Sequence, residues 1–428
     1  MKRAVLFWAI LGASGSVPAQ DLAPETLLLA RFKEHLTDRL AHLPEYTCIE
    51  NIDRYHRSPP GKLGPLDRVQ VEVLYSGADE WYGWPGAHTL AEKDPIQFIA
   101  GGMIGNGLFA LFQNDLLNFA TTYTYRGEEA LEPGGPPLAK YDFRLPRLMS
   151  GQQITLPVGK GRVGLKGSVW IESHTLDLLR LTVEADEIPT YLPLAEMSAR
   201  IDYAHTRIGA SDILLAQNAD LHMQEILGEE NYDRFEFTHC SQFHAESAVR
   251  FAEAADERAA PADVRRPAPP APPEEKIPAL LAVTIQLDTP LSATDIVGKA
   301  LMAHTAGNVR YKGKIAIPDG SRVRGRLRRL QRQDDTHFAV GLEFSEIEVG
   351  GAAVPFYGDI LRMDRRGGIQ QALTGHIYLA AYPGITRYAM ETIKLPEIPG
   401  VASFFVPGKT LALPEGFWTV WRTRGVVH

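Results

Sequence analysis

The stretch Gly161 to Pro189, GRVGLKGSVWIESHTLDLLRLTVEADEIP, carries the clearest local pattern in the chain. Val169 and Ile171 share one face, and His174 to Asp177 is a polar turn. Leu179, Leu181, Val183 and Ala185 then alternate with Arg180, Thr182 and Glu184. Successive side chains of a strand point to opposite faces, so the pattern predicts a β-hairpin with one buried face.

The same period extends to both sides of this hairpin. Strands are expected over Thr47 to Arg57, Val69 to Tyr75, Thr121 to Tyr125 and Tyr141 to Leu145, then over Ala199 to Arg207, Ile213 to Gln224, Tyr232 to Thr238 and Phe243 to Phe251. Roughly ten strands without intervening helices predict one large antiparallel sheet, curved into a half-barrel. Two helical pieces remain to cover its concave face. Pro24 to Leu43 reads as an amphipathic helix stopped near Pro44. Ile96 to Phe119 is strongly apolar but interrupted by Gly101, Gly102, Gly105 and Gly107, which predicts two short helices around a glycine joint. That piece is either plain core or a movable lid over an apolar cavity.

Glu253 to Pro278, EAADERAAPADVRRPAPPAPPEEKIP, holds almost no large apolar residue and predicts an extended linker. Beyond it the chain is again β. Strands are expected over Ala282 to Leu287, Lys314 to Leu330 around the turn Pro318-Asp319-Gly320, His337 to Val349, Ala353 to Met363, Gly375 to Ala381, Val401 to Val406 and Thr419 to Arg424. A short helix is a candidate within Asp295 to Ala306. The fold class is therefore mainly β (α+β): a large antiparallel half-barrel with covering helices, plus a second small β-barrel domain. The expected division is a signal peptide at 1–19, a β domain at 20–252, the Pro/Ala-rich linker at 253–278 and a small β-barrel domain at 279–428.

Lys2 and Arg3, an apolar run from Ala4 to Val17, and small residues before Gln20 read as a secretory signal cleaved after Ala19. No later run reaches the roughly 18 apolar residues of a membrane span. The expected location is periplasmic or secreted. The net charge is −8, yet residues 281–428 carry 18 Lys and Arg against 13 Asp and Glu. The two parts differ in electrostatic character, and a chain that is mildly acidic overall is a poor candidate for general nucleic-acid binding. The two cysteines, Cys48 and Cys240, are expected to pair in an oxidising compartment, the alternative being two separate buried thiols. Neither has a CxxC partner, so no metal site is expected.

Two constellations stand out. Trp81 and Trp84, with Phe98, Ile99, Met103, Ile104, Leu108, Phe109 and Phe112, form a candidate apolar ligand site, where an acyl chain would gain roughly 25 cal/mol per Å² removed from water. Arg322, Arg324, Arg326 and Arg328 occupy alternate positions of one expected strand, about 7 Å apart, as a basic stripe. It would meet anionic headgroups or an acidic partner, including the N-terminal domain, or simply be a solvated face guarding an edge strand. His205, His222, His239 and His244 have no defensible metal spacing. No catalytic motif is present in the form of GxSxG after the signal, HExxH or a P-loop, so neither a catalytic residue nor a cofactor is expected.

The signal, the first helix, the strand series and Gly167-Ser-Val-Trp-Ile-Glu172 leading into Leu178-Leu-Arg-Leu-Thr-Val183 make residues 22–251 similar to the LolA/LolB/RseB class of periplasmic lipoprotein-binding proteins. That resemblance implies a half-open barrel with helices over a cavity for lipoprotein acyl chains. Leu287-Asp-Thr-Pro-Leu-Ser292, Ile296-Val-Gly298 and Ile317-Pro-Asp-Gly-Ser-Arg-Val-Arg-Gly-Arg326 resemble the C-terminal β-barrel of TrbI/VirB10-type envelope proteins. The expected function is an exported binding protein that holds a lipid or the acyl chain of an acylated protein, with an envelope component or protein partner engaging the C-terminal domain. The alternatives are an envelope-assembly or signalling module acting by protein contacts, and a hydrolase with an unrecognised site.

Overall fold

The computed structural model describes residues 22–243 and 277–424. Residues 78, 88–89, 157–158, 334–335, 372, 375–393 and 396 are excepted, and within 91–110 only 92, 95, 99, 101, 103 and 105 are described. The signal segment, most of the linker, the strand expected beyond Phe243 and the one at 375–381 lie outside the described residues.

Helix α1 (Pro24–Ala41) starts with proline at a position that needs no N–H partner. Strands β1 (Tyr46–Arg57), β2 (Gly64–Ser76) and β3 (Asp79–Gly83) follow, then helix α2 (Leu111–Leu117), β4 (Thr122–Glu129) and β5 (Leu138–Leu145). A small side hairpin, β6 (Gln153–Leu156) and β7 (Gly159–Arg162), precedes β8 (Gly164–Ile171) and β9 (Leu178–Asp186). Long strands β10 (Leu194–Ile208), β11 (Ser211–Glu225) and β12 (Glu230–Gln242) close the set. Ten of these form one sheet in the order β3-β2-β1-β12-β11-β10-β9-β8-β5-β4. The expected hairpin is β8–β9, with Val169 opposite Leu181 and both fully buried. Phe32 and Leu36 of α1 pack into the core that lies on this sheet.

Within this sheet β1 and β12 change register, with Thr47 opposite Ser241 and Ile49 opposite Thr238. His239 sits in the left-handed region at φ 51°. Such a bulge re-aims a side chain, and here it brings Cys240 onto Cys48. The two form a disulfide with 4.1 Å between Cα atoms.

The second part opens with β13 (Ala282–Leu287), β14 (Leu291–Ser292), β15 (Ala300–Thr305), β16 (Val309–Tyr311) and β17 (Lys314–Ile317). Then come β18 (Arg322–Arg332), β19 (His337–Val349), β20 (Ala352–Pro355), β21 (Gly358–Met363), β22 (Gln370–Gln371) and β23 (Leu373–Thr374). The last are β24 (Lys394–Leu395), β25 (Ala402–Pro407), β26 (Ala412–Leu413) and β27 (Trp418–Thr423). Nine of them make a second sheet along β21-β27-β13-β15-β18-β19-β25-β22, with β20 added beside β19. The stretch expected to carry a short helix instead holds β15, because Leu301, Ala303 and Thr305 alternate inward. Period two wins there over a weak helical reading.

The two sheets touch through backbone. Beyond the end of β3, β2 pairs with the chain just before β15: the Gln70 N–H donates to the Val297 carbonyl at 3.0 Å, and the Val297 N–H to the Arg68 carbonyl at 2.9 Å. Gly298 adopts φ +102°, and a Cβ there would lie 2.6 Å from the Gln70 carbonyl oxygen and 2.8 Å from Trp84. Gly298→Ala should therefore cost about 1–3 kcal/mol by overpacking, added to the backbone strain. Gly307→Ala, at φ +91° with open space around it, should show the strain alone. Urea melts of the two variants separate the contributions; equal losses would mean that the seam tolerates the methyl group.

Candidate functional site

Between the C-terminal half of α1 and the sheet lie two cavities that share Arg39, Leu43 and Leu214. The inner one, about 140 Å³, is lined also by Leu40, Tyr46, Tyr75, Gln113 and Leu215. The outer one, about 280 Å³, runs past His35, His42, Asp177, His205, Ser211 and Asp212. The walls come from α1 and the loop after it, the starts of β1 and β11, the ends of β2 and β10, α2 and the turn before β9, so the site is assembled from elements distant in sequence. Tyr46 and Tyr75 face each other across β1 and β2 with their rings stacked at 4.5 Å. Their packing gives the inner wall a flat aromatic surface.

Arg39 is the cation of this cleft. Its Nη2 donates to Gln113 Oε1 at 2.8 Å, and among the described residues no carboxylate lies within ion-pair distance of it. Burial pulls its pKa below the usual guanidinium value, with Tyr203, Asp177 and Tyr46 opposing the fall. Burial likewise pushes the Tyr203 phenol up to about 12. The carboxylates at the outer mouth are engaged by imidazoles. Asp177 Oδ2 is 3.1 Å from His205 Nε2, and its Oδ1 is 4.0 Å from His35 Nε2. Asp212 lies 3.4 Å from His205 Nδ1. With a carboxylate at each ring nitrogen, His205 has none left to serve as base for Ser211. Serine-type hydrolysis requires that nitrogen.

A second buried polar group sits on the inward face of β1, where Tyr46, Cys48, Glu50, Ile52 and Arg54 are all buried. Arg54 grips Asp67 with two hydrogen bonds of 2.7 Å, and its Nη1 donates to the Gly101 carbonyl at 2.6 Å. Asp67 also accepts from Gln331 of β18 at 3.3 Å. One ion pair thus ties together β1, β2, the glycine-rich segment and the second sheet. Opposite Arg54 on β12 is Asp233, whose two carboxylate oxygens are buried without a hydrogen-bond partner. Burial pushes its pKa well above the usual carboxylate range; Arg54 opposes the shift and Asp67 adds to it. Glu50 is raised in the same way by burial, helped by Glu80 and Asp233.

An acid whose folded pKa lies above its unfolded value of about 3.9 contributes stability that is full below the unfolded pKa and lost as pH rises through the folded one. The protein should therefore be less stable at pH 8 than at pH 5, and Asp233→Asn, which remains neutral, should flatten that fall. Urea melts at the two pH values test this. An unchanged slope in the variant would clear Asp233 of the effect.

The residues singled out in the sequence are distributed as follows. Ile99, Met103 and Phe112 are buried in the main core. Phe98, Ile104, Leu108, Phe109 and His244 lie outside the described residues. Trp81 is half-buried on β3 opposite Leu74. Trp84 packs at the seam between the sheets, with the Arg328 guanidinium 5.1 Å above its ring. Neither tryptophan lines the cleft beneath α1. Arg322 and Arg324 are exposed and face Glu348 and Glu346 of β19 at 3.8 and 3.0 Å. Arg326 donates to the Gly298 carbonyl at 3.0 Å. A register shift between Leu327 and Arg329 diverts Arg328 inward, onto Glu343 and Trp84. His222 is held by Glu230 at 2.9 Å. Arg39, Arg54, Asp67 and Asp233 were missed. Their only signal was a charge on the inward period of a helix or strand, which marks a buried charge once the facing element is known.

Among the described residues no group of His, Cys, Asp and Glu is placed to hold a metal ion, and no helix is long and apolar enough to cross a membrane. No family model and no curated protein matches the sequence. Two solved structures are similar to parts of it, one for each resemblance named from the sequence. The LolA superfamily protein from Nitrosomonas europaea is 11% identical, over 52% of this chain and 95% of that one, with a TM-score of 0.25. ComB10 of the Com Type IV secretion system of Helicobacter pylori is 14% identical, over 35% of this chain and 88% of that one, with a TM-score of 0.18.

Proposed function

We propose that the chain is an exported, non-enzymatic binding protein that shelters an acyl chain, from a lipid or an acylated protein, between α1 and the ten-stranded sheet. The inner cavity beneath α1 carries this reading, since Leu40, Leu43, Tyr46, Tyr75, Leu214 and Leu215 line it, with the more polar outer cavity as its mouth. Apolar walls bind chains by removing area from water and need few polar contacts. The Cys48–Cys240 disulfide fits an oxidising compartment outside the cytoplasm. The division into two β domains joined by the Pro/Ala-rich linker belongs to the same proposal, with the second domain bracing the first and offering a surface to an envelope partner.

Protein purified gently from its host should yield bound lipid on solvent extraction, and stripped protein should take up a fluorescent fatty acid. Failure of both would sink the reading. The alternative, an assembly module that captures a partner through Arg322 to Arg328, is weaker because those arginines already meet Glu343, Glu346, Glu348 and the Gly298 carbonyl.

A further inference from the structure

We propose that Arg39 is the head-group ligand of the cleft and that its occupant is a single-chain fatty acid, bound through the carboxylate. The inference rests on the acyl-chain reading above and specifies the ligand class. A guanidinium offers five N–H donors in a planar fork that matches a carboxylate with two parallel bonds. Arg39 spends one nitrogen on a neutral acceptor, Gln113 Oε1, and among the described residues it has no acidic partner. A charge removed from water without a counter-ion is costly, and an anionic ligand would supply that counter-ion.

The surroundings select among anions. Asp177 and Asp212 are engaged by His205, with His35 at Asp177, and Asp38 is held by His42 at 3.2 Å; none of the three forms an ion pair with Arg39, on which Asp177 acts only at longer range. A single guanidinium suits a singly charged head better than a phosphate flanked by these acids. Cavities of about 140 and 280 Å³ that meet at Arg39, Leu43 and Leu214 lie near the lower end of the roughly 300–1,000 Å³ span of small-molecule sites. That volume fits one chain, and a lipid with two or three chains would overfill it.

The test uses the stripped full chain and compares dodecanoic acid with its methyl ester by displacement of a fluorescent probe at pH 8. The wild type should bind the acid at least about tenfold more tightly than the ester. Arg39→Met should erase that preference, and Arg39→Lys should restore part of it. Equal binding of acid and ester by the wild type would overturn the assignment of Arg39 and leave the acyl-chain reading standing. Binding of neither would overturn both. The wild-type comparison of the two ligands needs no variant, so misfolding of Arg39→Met cannot mask the answer.

Discussion

Asp67→Ala should cost about 3–5 kcal/mol of folding stability, because it strands a guanidinium in the interior. Arg54 and Asp67 are each only 2% exposed and meet through two 2.7 Å hydrogen bonds. Removing one partner leaves a buried charge uncompensated, whereas replacing both by apolar residues of similar volume removes the charge and its desolvation cost together. Arg54→Met with Asp67→Leu should therefore lose far less than Asp67→Ala alone. Urea melts at pH 7 of the single and double variants measure the difference. A double variant as unstable as the single one would show that the pair matters through its other contacts, namely the Gly101 carbonyl and Gln331.

Loss of the disulfide should be the second large effect. Cys48 and Cys240 are 192 residues apart, and closing so long a loop restricts the unfolded chain by roughly 5 kcal/mol in the entropic model. Residual structure in the unfolded chain reduces that figure, so Cys48→Ser with Cys240→Ser should lose about 2–5 kcal/mol. Reductant should lower the stability of the wild type to the same level and leave the double variant unaffected. A wild type whose unfolding midpoint is indifferent to reductant would contradict the role given to the bond. Its place matters as well, since it joins β1, the first strand of the ten-stranded sheet in sequence, to β12, the last.

The ligand and the head-group experiment turn on features of a different kind. The walls of the cleft come from α1, its following loop, strand ends, the turn before β9 and, in Gln113 and Asn114, α2. Such residues look unremarkable one at a time. Leu40 and Leu43 read as the apolar side of an amphipathic helix, and Tyr75 as an ordinary strand aromatic, while Tyr46 falls just before the first expected strand. Arg39 read as one more charge between them.

Local pattern alone determined the β class, the position of the first helix, the β8–β9 hairpin and most strands, because period two and period 3.6 are written within a few residues and do not depend on distant partners. It also brought the two cysteines forward as a pair, on count and compartment. Pairing decided the rest. The Arg322 to Arg328 stripe was legible as spacing, yet its neutralisation depends on the register against β19 and on a bulge that turns Arg328 inward. In β1, Ile49 and Ile52 fall on opposite faces, so alternation could not say which face was buried. Only the sheet shows that the inner one carries Glu50 and Arg54. The cleft, with Arg39 held only by Gln113, exists where α1, α2 and several strand ends converge, and a sequence pattern holds no distance between elements that meet only after folding.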